Sequence, residues 1–377
     1  MSRWLLALGV AARTAALTVT PSGPPVSVWG SIDALHKCGV NDVPDIPPRA
    51  FVDADGLTHM IVGSTSFHWM TGPSVFKQTR NCTPAWNSTQ DPNPAHFASA
   101  EWLDSPHVFP NGTVVALVHV EYDAMNIEVP KCPHNYPLCW TVTVGLAISE
   151  DWGYTWRHAR TPPEHLVAAV PYRFNQTQPA SGWGDPSNIF RSPLDGLYYL
   201  AVLNRNQVGL QAPGICFART ADLTDPSSWR AWGGESWNVR WVSPYTMEPG
   251  TEAEHVCKTV VTSEQCMPSG VVWSTFLHLF VITLDCINKQ DSVYISTSPD
   301  LVHWSPVTPF YSRSDLPADV SKNVTSMTYP TFIDPASVDG GNFGAIGQDA
   351  PLFWVSIGHS PHTDGRRVWA TDMHFEK

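Results

Sequence analysis

The sequence predicts an all-β fold: a five-bladed β-propeller whose four-stranded antiparallel blades surround a central funnel. Three observations predict it: a recurring proline-led strand unit, polar turns inside those units, and a composition suited to strands and turns. The unit occurs at Pro48 (PPRAFVDADGLTHMIVGS), Pro106 (SPHVFPNGTVVALVHVEY), Pro186 (DPSNIFRSPLDGLYYLAVLNR), Pro268 (MPSGVVWSTFLHLFVITLD) and Pro330 (YPTFIDPASV, continued by APLFWVSIGHS). The units fall about 60 to 80 residues apart, longer than common propeller repeats but suited to blades with extended loops.

Within each unit the apolar runs are short and rich in Val, Ile, Leu, Phe and Tyr, which marks strands. Asp55-Gly56, Asn111-Gly112 and Asp195-Gly196 supply hairpin turns in three of them. Such a strand pair cannot bury both faces alone, so stacking blades around an axis supplies the core and protects the edges. The 34 Pro, 25 Gly and 17 Trp fit many turns and aromatic surfaces, and no long amphipathic helix is visible.

One propeller accounts for nearly all of the 377 residues, so residues 17–377 are expected to form a single domain. Ahead of it, Arg3, the apolar run Trp4 to Ala12 and the small residues Thr14, Ala15 and Ala16 read as a signal peptide over residues 1–16. This places the mature protein outside the cell, free of the membrane after cleavage. The net charge of −12 repels phosphate backbones, and no basic stretch offsets it, so nucleic acid is excluded as a partner.

Eight cysteines and five N-x-S/T sequons, at Asn81, Asn87, Asn111, Asn175 and Asn323, fit an oxidising compartment. Asn111 sits in a tight turn and has a reason of its own to be there. Cys132 with Cys139 and Cys257 with Cys266 are expected to bridge locally, leaving Cys38, Cys82, Cys216 and Cys286 with three possible connectivities. No paired C-x-x-C appears, and His68, His278, His359 and His362 share no H-x-x-x-H spacing, so neither metal nor other cofactor is expected.

Three motifs narrow the class. Ser149 to Trp156 reads SEDWGYTW, the S-x-D-x-G-x-T-W pattern of the Asp box, in which Asp and Ser side chains bind the turn and Gly takes a positive φ. Ser298 to Trp304 (SPDLVHW) and Ala218 to Trp229 (ARTADLTDPSSW) look like S-x-D-L-x-x-W outer-strand signatures. With these motifs the chain resembles, over about residues 40 to 375, the five-bladed propeller glycoside hydrolases of families 43 and 32, with a sialidase-type Asp box. The resemblance implies three carboxylates in the funnel: one near the start of the first blade, one in an Asp-Pro step, and an acid glutamate in a later blade. Asp45 matches the first and Asp185-Pro186 the second; no E-G-P or E-C signature marks the third.

The residues supply a candidate for that third group. Along Ala116 to Asn126 (ALVHVEYDAMN), period-two alternation puts His119, Glu121 and Asp123 on one strand face and Val118 and Val120 on the other. Glycoside hydrolysis needs two carboxyl groups flanking one bond, one neutral and one ionised. The catalytic candidates are therefore Asp45, Asp185 and Glu121. Arg49, beside Pro48, offers a planar fork to a sugar hydroxyl or to a carboxylate of a neighbouring blade. His119, Glu101, Trp102, Trp183, Asn188 and Asp285 complete the substrate-binding candidates, Trp beside carboxylate being a common cradle for a sugar's apolar face. The expected function is a monomeric secreted glycosidase acting on a poly- or oligosaccharide; the alternative is a carbohydrate-binding propeller without catalysis. The segments Thr71 to Pro94 and Val239 to Cys266 are expected to be specificity loops.

Overall fold

The computed structural model describes residues 17–30, 38–39, 42–123, 139–176, 180–262, 266–358 and 365–377. The residues expected to form a signal peptide lie outside this set. Five antiparallel sheets surround a common axis as a five-bladed β-propeller. Blade I runs from the axis outward as Arg49–Val52, Thr58–Ile61, Ser66–Ser74 and Lys77–Asn87. Blade II is Ala100–Val108, Val114–Asp123, Trp140–Ser149 and Arg157–His158, with Leu166–Ala168 and Ser181–Gly182 added to its third strand. Blade III is Phe190–Arg191, Tyr198–Asn204, Gly214–Thr220, Arg230–Trp232 and Trp237–Val239. Blade IV is Cys266–Ser274, Leu279–Cys286, Ser292–Ser298 and Thr308–Ser312.

Blade V joins both ends of the described chain. Its strands Ser326–Phe332, Asp349–Ile357 and Arg367–Glu376 come from the C-terminal side, and Thr18–Pro21 and Val26–Gly30 both pair with Arg367–Glu376. The ring is closed by strand pairing, which protects an edge that would otherwise template aggregation.

The five prolines mark the innermost strand of every blade. Pro48 and Pro186 precede theirs, whereas Pro106, Pro268 and Pro330 sit inside irregular steps between Leu103 and Pro106, Pro268 and Gly270, and Thr328 and Thr331. Proline lacks the N–H that a ladder needs, so it belongs at a bulge, and the bulge re-aims the adjacent side chains toward the axis. Ser105 (φ 36°) and Tyr329 (φ 56°), the residues before two of these prolines, take left-handed backbone there.

Side chains stitch the five blades into a closed circuit near the axis. Arg49 of blade I pairs with Asp104 of blade II at 3.3 Å. Ser105 donates to Ser187 O of blade III at 2.8 Å, and the Asn188 amide exchanges two hydrogen bonds with Val271 of blade IV. Thr283 donates to Pro330 O of blade V at 2.6 Å, and Arg49 returns to Thr331 of blade V at 3.1 Å. At the opposite end of the inner strands, Gly341 O accepts from Val52 N, Asn342 bonds Val108, and Gly344 O accepts from Trp273 N.

The third strands of blades II, III and IV end in similar side-chain-held turns. In Ser149 to Trp156, Asp151 accepts from Thr155 N (2.9 Å) and Ser149 Oγ accepts from Gly153 N (2.7 Å). Gly153 has φ 82°, and a Cβ there would stand 3.0 Å from Phe51 and from Trp69 of blade I, so glycine permits this blade contact. In Ser298 to Trp304, Ser298 Oγ accepts from Leu301 N, and Trp304 Nε1 donates to Leu301 O.

Between described residues the disulfides are Cys38–Cys82, Cys216–Cys257 and Cys266–Cys286. The expected Cys257–Cys266 bridge is therefore incorrect. Cys266 and Cys286 are register partners on adjacent strands, while the Val261 segment beside Cys257 is drawn to Ile215 in blade III. The proposed Cys132 partner of Cys139 lies outside the described residues. The segment Thr71 to Pro94 is also not a loop, since it holds the end of one blade I strand and all of the next. No helix among the described residues is long and apolar enough to cross a membrane.

Candidate active site

The bulged prolines and the strand ends beside them bring one acidic cluster to the axis. Asp45, just before blade I, accepts a hydrogen bond from Trp102 Nε1 at 3.3 Å and forms an ion pair with Arg366, which precedes the Arg367–Glu376 strand of blade V. Asp185, in the step into blade III, lies 3.2 Å from His119 Nδ1, and His119 Nε2 lies 3.0 Å from Glu121. Trp102 and His119 are register partners on adjacent strands, with ring centroids 5.5 Å apart. Asp285 ends a blade IV strand, accepts from Thr328 Oγ1, and lies 3.4 Å from Tyr329 N. The alternation expected for His119 and Glu121 is thus realised, while the Asp123 side chain lies outside the described part.

Electrostatics bind these groups into one unit. Burial works against protonation of His119, but the Asp185 carboxylate, the Glu121 hydrogen bond and Asp104 outweigh it and lift the imidazole to about 9. Between two carboxylates His119 is an imidazolium at neutral pH. Burial also raises Asp45, opposed by the charge and hydrogen bond of Arg366 and reinforced by Asp185. Asp104 and Asp285 are each pushed to about 6, chiefly by burial. Tyr329 rises well above its usual value for the same reason, with the Asp45 and Asp185 charges adding to it.

Accessibility separates two layers. Asp45 and Glu121 keep about a quarter of their side chains open, and Arg366 slightly more. Arg49, Asp104 and Asp285 form a buried floor beneath them.

Three substrate-binding candidates are drawn into other contacts. Glu101 points to the opposite strand face from Trp102 and Asp104, where it accepts from Thr89 N at 2.7 Å and meets His158 at 2.6 Å. Trp183 is fully buried in the core between blades II and III, against Trp241. Asn188 spends both amide atoms on Val271. Arg49 also turns inward, toward Asp104, Thr331 and Pro186 O. Four cluster residues, Asp104, Tyr329, Arg366 and Arg205, are not among the sequence candidates. Arg205 lies over Trp140 and its charge reaches Asp285. Asp104 had one sequence signal: it shares a strand face with Trp102.

Fold and site together define a five-bladed propeller with a carboxylate-lined axis. A family 117 glycoside hydrolase from the marine bacterium Zobellia galactanivorans superposes with a TM-score of 0.55 at 10% identity, covering 95% of this chain and 90% of that one. An α-L-arabinofuranosidase from Lactobacillus brevis gives 0.50 at 11% identity, covering 90% of this chain and 92% of that one. The resemblance to propeller glycoside hydrolases thus holds as a likeness of fold. No protein-family profile and no curated protein matches the sequence.

Proposed function

We propose that this protein is a secreted glycoside hydrolase that cleaves a poly- or oligosaccharide by carboxylate acid–base catalysis at the propeller axis. The observation that carries this reading is the convergence of Asp45, Asp185 and Glu121 around Trp102 and His119. It occurs in a fold shared with glycosidases of known structure.

In this reading Asp45 is the carboxylate that attacks, either on the sugar or through water. Arg366 and the Trp102 N–H orient it and oppose the rise that burial imposes on its carboxyl. Glu121 stands at the leaving-group side as the acid. The proton comes from the His119 imidazolium bonded to it: Nε2 passes its proton to the Glu121 carboxylate as Glu121 delivers one to the glycosidic oxygen, which leaves His119 a neutral imidazole beside Asp185. Trp102 offers an aromatic face to the sugar. The disulfides support an extracellular setting, and the chain acts as a monomer on carbohydrate.

A binding protein without catalysis is the second reading. It is favoured by one observation: Asp45, Asp185 and Glu121 each already face a cation. The deciding experiment is hydrolysis of a polysaccharide and aryl-glycoside panel by the disulfide-intact protein, with Asp185→Asn beside it. Sugar release by the wild type alone supports the enzyme. Binding of a glycan with no release by either protein supports the second reading.

A further inference from the structure

On the face of the innermost blade II strand opposite Trp102 and Asp104, Glu101 is fully buried together with His165 and beside the partly exposed His158. One carboxylate oxygen of Glu101 and one ring nitrogen each of His158 and His165 lie within 4.8 Å of one another. The imidazole centroids are 4.5 Å apart. His165 Nε2 lies 3.0 Å from Phe97 O, and a carbonyl only accepts, so the ring proton sits on Nε2. That leaves Nδ1 of this wholly buried histidine a bare lone pair with no hydrogen-bond partner. A buried polar atom left this way carries a desolvation cost and calls for an explanation.

We propose that Glu101, His158 and His165 form a three-ligand site for a zinc-class divalent cation that ties the innermost strand of blade II to its outer edge. Two imidazoles and a carboxylate are a donor set zinc accepts, with a fourth position left for water. The surroundings have the form of a ligand-orienting shell: Phe97 O fixes the His165 tautomer, and Thr89 N holds the second Glu101 oxygen at 2.7 Å. Gly145 makes room for the ring, since a Cβ there would stand 2.7 Å from His165 Cδ2. On the solvent side His158 lines a cavity of about 280 Å³ shared with Trp86, Asn87, Thr89 and Trp156. The ion takes the place of the proton now between His158 Nε2 and Glu101, and gives the buried carboxylate a compensating charge. The ion then joins the ends of blade II through one centre, against which Phe97, Thr89 and Trp86 already pack, a structural role separate from the axial carboxylates.

The test uses the whole disulfide-intact chain, dialysed against a chelator and titrated with Zn²⁺ and, separately, with Co²⁺. Elemental analysis should find one zinc per chain, the melting temperature should rise with Zn²⁺, and Co²⁺ should show the strong visible bands of a four- or five-coordinate site. His158→Gln, at the partly open end, should weaken zinc binding at least about tenfold. His303→Gln, at an exposed histidine paired with Asp300, should change neither stoichiometry nor affinity. The proposal fails if the wild type binds no stoichiometric zinc, if zinc leaves the melting temperature unchanged, or if folded His158→Gln binds it as tightly as the wild type. Should His158→Gln not fold, the wild-type Co²⁺ spectrum decides alone: weak octahedral bands overturn the site.

Discussion

Arg49 and Asp104 form an ion pair at 3.3 Å between blades I and II, with the side chains 3% and 0% exposed. Arg49 also reaches Thr331 of blade V and Pro186 O at the start of blade III, so one guanidinium of blade I touches three other blades. A charge so deeply buried is costly alone and tolerable only while paired. The expected consequence is that Arg49→Met or Asp104→Leu alone lowers unfolding stability by about 3 to 5 kcal/mol, through the abandoned partner. The double variant should cost clearly less than the sum. A double-mutant cycle by chemical denaturation measures this; additive losses would show that the pair does not couple the blades.

The same burial sets a pH dependence. His119 is raised to about 9 from an ordinary 6.5, so its contribution is fully present below 6.5 and is lost as pH climbs through 9. Asp104 and Asp285 are raised to about 6, so the unfolded chain ionises them first and they too favour the native state in acid, losing that contribution between about 4 and 6. All three act in one direction. The melting temperature should fall from pH 6.5 to 9, and His119→Gln should flatten that limb, worth about 3 kcal/mol for a shift of this size. A limb of unchanged slope in His119→Gln would rule out His119 as its cause.

The architecture was far more legible than the site, for a physical reason. Each inner strand announces itself because proline is tolerated only at its start or at a bulge, and the Asp195-Gly196 type of turn is a local signal. The site depends on ring closure. Arg366 meets Asp45 across 321 residues and Arg49 meets Thr331 across 282, distances over which no local pattern speaks. Glu101 is a different case: strand alternation alone separates it from Trp102 and Asp104, so its outward face was readable. Asn188 was not, because an amide beside an Asp-Pro step reads equally as a ligand group or as a strand-to-strand clamp. Cys257 and Cys266 show the limit of proximity in sequence, since sheet register gives Cys266 to Cys286.

That register makes a testable statement about the covalent framework. Non-reducing peptide mapping should recover Cys216–Cys257 and Cys266–Cys286 and no Cys257–Cys266 peptide. The Cys266→Ser, Cys286→Ser pair should lower stability by about 3 kcal/mol, the scale for a loop of this length. Because Cys286 follows Asp285, the substitution should also loosen the floor of the cluster, seen as faster amide exchange at Tyr329.

Ring closure predicts a sharp response to truncation. Thr18–Pro21 and Val26–Gly30 are the only described strands on the outer side of Arg367–Glu376, and without them that strand becomes an open edge. A chain lacking residues 17–30 should lose cooperative unfolding and self-associate, whereas substitutions confined to the exposed Val26 side chain should not. Light scattering and thermal unfolding of the two proteins, side by side, distinguish edge protection from a dispensable tail.

The last prediction separates orientation from chemistry at Asp45. Burial raises this carboxyl while Arg366 opposes the rise through charge and hydrogen bonding. Arg366→Gln removes that opposition, so Asp45 should stay protonated to higher pH and the acid limb of any pH–rate profile should move up. Trp102→Phe removes only one donor to Asp45, the indole N–H, and keeps an aromatic face. It should move the limb less, while lowering kcat more than it raises KM if the indole orients the attacking oxygen. Glu121→Gln should remove the acid without moving the Asp45 limb, and cost about 10² to 10⁴ in rate. If all three variants shift the same limb equally, the cluster titrates as one unit and separate roles for Asp45 and Glu121 are wrong.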